Sequence, residues 1–263
     1  MRFGLLLSLI AAIYLAGCQS NPENDSYSTP GQRDVDLNLG RWDNSPANNY
    51  IELAKEYYKI NEMTFALESA QNAISIDEQN PYAHNIIALI YQNLKQNSKA
   101  DKHFRRALTY APDEPIINNN YGRFLCTLGN FDKSLIHFKK TIDYPLYRRK
   151  WIPMTNIGVC ALRNDNLEIA EEYLRKALQN NGNYRTALYN MIYLSVLQEN
   201  YLSARAYLQR YLEVGQHNKN TLWWGVQTEK ALGDKDALET YKLKLRSIYP
   251  DAEETQKIMM ENY

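Results

Sequence analysis

The sequence has little of what chemistry usually requires. Its 263 residues hold three cysteines and four histidines, with no CxxC and no HExxH to gather them round a metal. No GxGxxG or GxxxxGK loop is present to cradle a phosphate. Acidic pairs such as Glu171 and Glu172 read as solvated helix faces. Neither charge sign is in excess, 30 Lys plus Arg facing 30 Asp plus Glu, so there is no basic footprint for nucleic acid. After residue 18 no apolar run is long enough to span a bilayer. These absences argue against an enzyme, a metal site and a nucleic-acid partner, and they leave protein binding as the expected activity. His103 and His137 recur at matching positions of two segments, but two histidines without a third ligand make a poor metal site. They are expected at a helix surface or groove edge, and no metal or dissociable cofactor is expected.

One short apolar run does occur, from Phe3 to Ala16, behind the single charge of Arg2. A spanning helix needs about 20 residues, and polar Gln19, Ser20 and Asn21 follow at once. Charge, short apolar core and small residues in that order read as a signal peptide over 1–17. The motif Leu15-Ala16-Gly17-Cys18 resembles the lipobox of bacterial lipoproteins. That resemblance implies cleavage before Cys18, a diacylglyceryl group on its thiol and acylation of the new amine. Gln19, rather than Asp, implies sorting to the outer membrane. Each buried methylene contributes about 0.8 kcal/mol, so several chains make a stable anchor. The alternative is an ordinary signal with a chance cysteine. From 18 to 46 follows a stretch rich in Asn, Asp, Ser, Pro and Gly that cannot build a core and reads as a flexible tether. Its apolar patch, Leu37, Leu39 and Trp42, is expected either to dock on the open face of the first repeat or to serve as a partner motif.

The rest of the chain is periodic. "ALESAQNAI" from Ala66, "ADKHFRRAL" from Ala100, "SLIHFKKTI" from Ser134, "AEEYLRKAL" from Ala170 and "ARAYLQRYL" from Ala204 recur at steps of 34, with one step of 36. This is the tetratricopeptide period, a helix-turn-helix unit. The fold predicted is all-α: a superhelix of six units over 47–250, with breaks near 81, 115, 151, 185 and 218, and a capping helix over 251–263. Helix A carries a small residue at Ala54, Ala88, Gly122, Gly158 and Gly225, facing large residues such as Phe104, Phe138, Leu174, Leu208 and Tyr241 one turn beyond the small residue of helix B. Ile192 breaks the rule in unit five and is expected to splay that pair. Pro81 and Pro115 suit first-turn positions. Gly129 and Gly233 suit the turns between helices A and B, where "KIN" and "RNDN" use Asn or Asp instead. The extra residues in "YPLYRRKWIP" are expected to displace the junction of units three and four slightly.

Cys126 and Cys160 fall on A helices of those two units. An exported chain meets an oxidising space, and the spacing leaves open a disulfide or two buried thiols. A helices of such arrays form the inner, binding face. Its expected lining is Ile51, Lys55, Tyr58, Tyr82, Asn85 and Leu89, then Asn119 and Arg123, then Ile152, Val159, Leu162, Tyr189, Tyr193 and Val196. The partner-binding candidates among these are Ile51, Tyr58, Tyr82, Leu89, Val159, Tyr189 and Tyr193, suited to an amphipathic helix or extended peptide. The competing reading makes some of them core between repeats, or covered by the tail. Ile51 and Lys55 depart from the pattern with which chaperone-binding arrays clamp a C-terminal carboxylate.

The segments "INNNYGRFLCTLGNFDKSLIHFKKTIDYPLY" and "NIGVCALRNDNLEIAEEYLRKAL" resemble the PilF/PilW type IV pilus biogenesis lipoproteins, which have a similar "NNYG-FLC" stretch and a similar "N-G-CAL" stretch. The resemblance runs from about Leu39 onward. It implies a pilotin, a lipid-anchored protein on the periplasmic face of the outer membrane that binds secretin subunits and promotes their assembly. A general scaffold for barrel-assembly or peptidoglycan enzymes would have the same fold and anchor.

Overall fold

In the computed structural model, residues 45–260 are described. The signal segment, Cys18, the patch Leu37/Leu39/Trp42 and the last three residues lie outside them. Alternation of small and large side chains along the period builds twelve helices in six antiparallel pairs, and a thirteenth closes the array. The A helices are α1 (Pro46–Lys59), α3 (Pro81–Asn93), α5 (Pro115–Thr127), α7 (Trp151–Arg163), α9 (Arg185–Leu197) and α11 (Lys219–Leu232). The B helices are α2 (Met63–Ile76), α4 (Asn97–Tyr110), α6 (Phe131–Asp143), α8 (Leu167–Asn180), α10 (Tyr201–Val214) and α12 (Lys235–Ile248), followed by α13 (Glu253–Met260). There is no strand among the described residues.

Helix starts follow local chemistry. Pro46, Pro81 and Pro115 occupy first-turn positions behind Ser45, Asn80 and Glu114, whose side chains accept from the exposed backbone N–H groups. Asn218 and Thr221 cap α11 reciprocally, satisfying donors that a helix start leaves open. Each A-to-B turn contains one left-handed residue: Asn61, Lys95, Gly129, Asp165, Glu199 and Gly233. Gly129 and Gly233 adopt this conformation without cost. Lys95 and Glu199 adopt it against their intrinsic preference.

Within a pair the predicted small residues let the helices meet. A Cβ on Gly122 would stand 2.8 Å from the Phe138 ring, and one on Gly158 would stand 2.6 Å from Leu174 Cγ. Ile192 does not leave an open seam. It is fully buried in one cluster with Leu208, Leu188 and Leu174. An aliphatic pair there fills the space that a glycine and a ring fill elsewhere. Between pairs, each A helix packs on the A helices before and after it and on the preceding B helix. The A helices therefore make the inner layer, and the B helices the outer one. Cys126 and Cys160 are disulfide-bonded, with their Cα atoms 5.8 Å apart, and they join α5 to α7. Arg205 on α10 forms a fork to Glu229, which is almost fully buried on α11, and reaches Asp234 at 3.4 Å. At the far end Thr255 Oγ1 donates to the Tyr249 carbonyl at 2.7 Å, and Ile258 joins Leu222, Val226 and Leu245 in the last core cluster.

Candidate partner-binding surface

A helix on the inner layer can offer a partner only the side chains that its neighbours leave open. In the first half of the array that is few. Ile51, Tyr82 and Leu89 are 3%, 1% and 1% exposed, so these three predicted contacts are core residues. For Ile51 and Tyr82 the cause lies in the α6–α7 connection. Its Tyr147 is buried in one cluster with Ala47, Ile51, Tyr82 and Ile116, and Tyr144 packs on the same cluster. The extra residues of this unit do more than displace a junction: they cover apolar inner positions of units one to three. Burial pushes the Tyr82 phenol well above its usual range, and neighbouring Glu114 and Tyr144 add to the shift. Leu89 is enclosed by Ile86, Tyr121 and Phe124, with Tyr58 packed against that cluster. Tyr58 itself stays half-buried. Burial raises its pKa, while the charge of Arg123 and a hydrogen bond with Asn93 oppose the rise.

The polar inner positions are also structural. Asn85 and Asn119, both expected on the open face, are fully buried. Asn120 Nδ2 donates to Asn85 Oδ1 at 3.4 Å, joining units two and three, and Asn156 Nδ2 donates to Asn119 Oδ1 at 2.9 Å, joining units three and four. Lys55 is buried too, with its ammonium donating to Glu52 at 2.7 Å.

The second half remains accessible. Tyr193 is 37% and Leu197 46% exposed on α9. Trp224 of the next A helix stands 5.4 Å from the Tyr193 ring and 4.9 Å from the Tyr189 ring. Asn220 Nδ2 donates to the Tyr189 hydroxyl at 2.7 Å and fixes that ring. Tyr189 and Val159 are each 8% exposed and support the floor rather than the rim. Across units five and six the exposed Tyr193 thus stands over two buried rings, Tyr189 and Trp224, the latter 9% exposed. Rigid rings of this kind bind apolar and aromatic side chains with little loss of rotamer freedom. Trp224 was missed in the sequence because it sits directly before the small residue Gly225, where a core role is the default. The doublet Trp223-Trp224 was the available signal.

His103, His137 and His217 are half-buried and His84 is buried, rather than superficial. His84 and His103 face each other, Nδ1 to Nδ1, at 3.1 Å, and His84 Nε2 donates to the Glu78 carbonyl at 3.1 Å. That leaves His84 Nδ1 as the acceptor and His103 as the donor. His137 Nδ1 meets Asn118 Oδ1 at 2.8 Å. His103 and His137 thus bond within their own units and not to each other. No group of three or more His, Cys, Asp or Glu among the described residues is arranged to hold a metal, and no described helix is long and apolar enough to cross a membrane.

Comparison with known proteins places this geometry. A tetratricopeptide repeat profile matches residues 81–114, and a second one matches 156–219. The type IV pilus assembly protein PilF of Pseudomonas aeruginosa is 25% identical over 97% of both chains. The crystal structure of PilW, a type IV pilus biogenesis factor, is 32% identical, with a TM-score of 0.76 over 83% of this chain and 100% of that one. A structure of Pseudomonas aeruginosa PilF is 26% identical, with a TM-score of 0.74 over 82% and 97%.

Proposed function

The chain belongs to the PilF/PilW family of tetratricopeptide-repeat proteins and acts in type IV pilus biogenesis; from that premise we propose that it is an outer-membrane lipoprotein that binds secretin subunits and promotes their assembly into multimers. The observation that carries the proposal is the similarity to PilW over that protein's whole structure. In this reading Cys18 bears the acyl chains and sets the destination, and the tether lets the array stand off the lipid on its periplasmic face. The grip is the exposed pair Tyr193 and Leu197, backed by the buried rings of Tyr189 and Trp224, which suits an extended or helical segment with apolar anchors. No dissociable cofactor takes part.

The test is the amount of detergent-resistant secretin multimer in outer membranes of cells lacking this chain, complemented with wild type, Cys18→Ala or Tyr193→Ala. Multimer should be lost on deletion and restored by wild type. With Cys18→Ala it should fail to localise. With Tyr193→Ala it should fall several-fold, because a central aromatic anchor contributes about 2 kcal/mol or more to binding. Unchanged multimer in all four strains would sink the proposal and favour a scaffold for another envelope machine.

A further inference from the structure

The α6–α7 connection carries more than the tyrosine that seals the inner face. The Tyr147 N–H donates to the Tyr144 carbonyl at 3.2 Å, closing a turn with Pro145 and Leu146 at its centre. Proline suits the first central position. Leu146 holds the second, where turns ordinarily place Asn, Asp, Gly or Ser, and it is 80% exposed. Its backbone is fixed from both sides. Tyr147 is buried in the cluster of Ala47, Ile51 and Tyr82, and the Ile152 N–H donates to the Arg149 carbonyl at 3.0 Å as α7 begins. The charges that follow are of one sign. Arg148 is exposed, Arg149 and Lys150 are half-buried, and no carboxylate occurs from Tyr144 to Asn164 in a chain whose charges balance at 30 and 30. Asp143 precedes the turn at the end of α6. In the neighbouring turns Asp113 faces Lys140 at 3.8 Å, and Asp77 accepts from Asn80 Nδ2 at 3.1 Å. Half-buried Trp151 opens the next helix. A leucine at a turn tip, cations beside it and an aromatic ring below make the mixture that a membrane–water interface accommodates.

We propose that this turn is a second contact with the membrane: Leu146 enters the headgroup layer of an anionic lipid surface, and Arg148 and Lys150 meet its phosphates. The inference rests on the lipid anchor proposed at Cys18. Position in the fold supports it. The connection from α6 to α7 lies at the end of the array where the A helices begin, and Tyr147 shares its cluster with Ala47 in the first turn of α1. The turn therefore lies beside the point where the anchored segment joins the array. Residues 19–45 reach about 90 Å at most when fully extended, which keeps the turn within range of the lipid. The exposed set is also too small for a protein interface, which needs a contiguous apolar centre. Of residues 144–151 only Pro145, Leu146 and Arg148 are exposed. Each cation near an anionic surface strengthens attachment by about fivefold, so the contact is weak alone and gains its occupancy from the high local concentration that the anchor imposes. The tether then limits how far the array can leave the surface, and the turn sets which side of the array faces it.

The test uses the full lipidated chain with Leu146→Cys as the attachment point for an environment-sensitive fluorophore; Cys126 and Cys160 are bonded to each other and do not compete for it. Leu202→Cys on α10, 71% exposed in the wild type, serves as the control. Each is reconstituted in vesicles of equal parts phosphatidylcholine and phosphatidylglycerol that carry a lipid spin-labelled at its headgroup. The label at 146 should shift to the blue and be quenched about threefold more than the label at 202. Arg148→Glu/Lys150→Glu, or vesicles of phosphatidylcholine alone, should remove most of that excess, since losing two cations weakens attachment by about 25-fold. Flotation with the vesicles reports the anchor separately. A chain that floats but is quenched equally at 146 and 202 would overturn the turn contact and leave the anchor standing. A chain that does not float would overturn the anchor and this inference with it. An excess at 146 that survives both charge reversal and neutral lipid would also overturn the proposal. So would equal quenching combined with loss of secretin multimer in Arg148→Glu/Lys150→Glu cells, which would assign the turn to an acidic protein segment.

Discussion

Single residues in this array are constrained by their place in the period more than by their type. Lys95 and Glu199 sit at φ 58° and 55° only because each A-to-B turn needs a left-handed residue at that step. Such a conformation costs a side-chain-bearing residue about 1–2 kcal/mol. Glu199→Gly should therefore raise stability, by about 0.5–1 kcal/mol after the entropy that glycine restores to the unfolded chain, measured as a shift in urea midpoint at constant slope. Gly158→Ala should act in the opposite sense. Its new methyl would lie 2.6 Å from Leu174 Cγ and 3.3 Å from the Ala170 carbonyl oxygen, and overpacking of this kind costs about 1–3 kcal/mol. Legibility at this scale was uneven. Gly129, Gly233, Asn61 and Asp165 could be read as turn residues from their chemistry. Lys95 and Glu199 could be found only by counting from their neighbours, because nothing in a Lys or Glu side chain favours positive φ.

Elements were legible where the pattern is local and illegible where a distant segment decides. Helix pairs follow from small and large residues a few positions apart, so six units and their turns could be read directly. The fate of Ile51 and Tyr82 could not, because the residue that seals them, Tyr147, lies in a connection three units away in sequence and belongs to no period. Tyr193 was legible as an inner-face aromatic and stays exposed, whereas Tyr189 is covered, with Trp224 of the next unit against its ring. The disulfide is likewise a property of two elements. It closes a loop between residues 34 apart, for which the chain-entropy account gives about 3–4 kcal/mol. Cys160→Ser, or reduction of the wild type, should lower unfolding free energy by up to that amount, read from denaturant curves with and without reductant. The loss should be greatest at the junction of α5 and α7, where exchange of backbone amides should quicken first.

At the scale of the whole molecule, the histidines make stability depend on mild acid. Burial, with smaller contributions from His84, Arg106 and Lys102 near His103, from Lys140 near His137 and from Lys244 near His217, lowers these three side chains to a pKa of about 4. In the unfolded chain they titrate near 6.5. The folded state thus holds them neutral while the unfolded state takes up protons, so their contribution is intact above about pH 6.5 and is lost progressively as pH falls toward about 4. Melting temperature should begin to fall below pH 6.5, above the range where most carboxylates titrate, and the slope should flatten in His137→Gln, measured by thermal melts from pH 7.5 to 4.5.

The asparagine bridges carry a consequence for how such a chain assembles. Repeats of similar sequence invite mistakes: a unit can dock one repeat out of order, or on the same unit of a neighbouring chain. Apolar surfaces tolerate either error, since one aliphatic stripe fits another. Asn85 with Asn120, and Asn119 with Asn156, are more selective: each couples the fifth residue of one A helix to the sixth of the next, and units one, four, five and six place no asparagine at the fifth position. Docked on one of those units through that position, a buried amide would lose its partner at a cost of about 1–3 kcal/mol. The two pairs thus limit which units can supply the acceptor, in a stack whose helices are otherwise interchangeable.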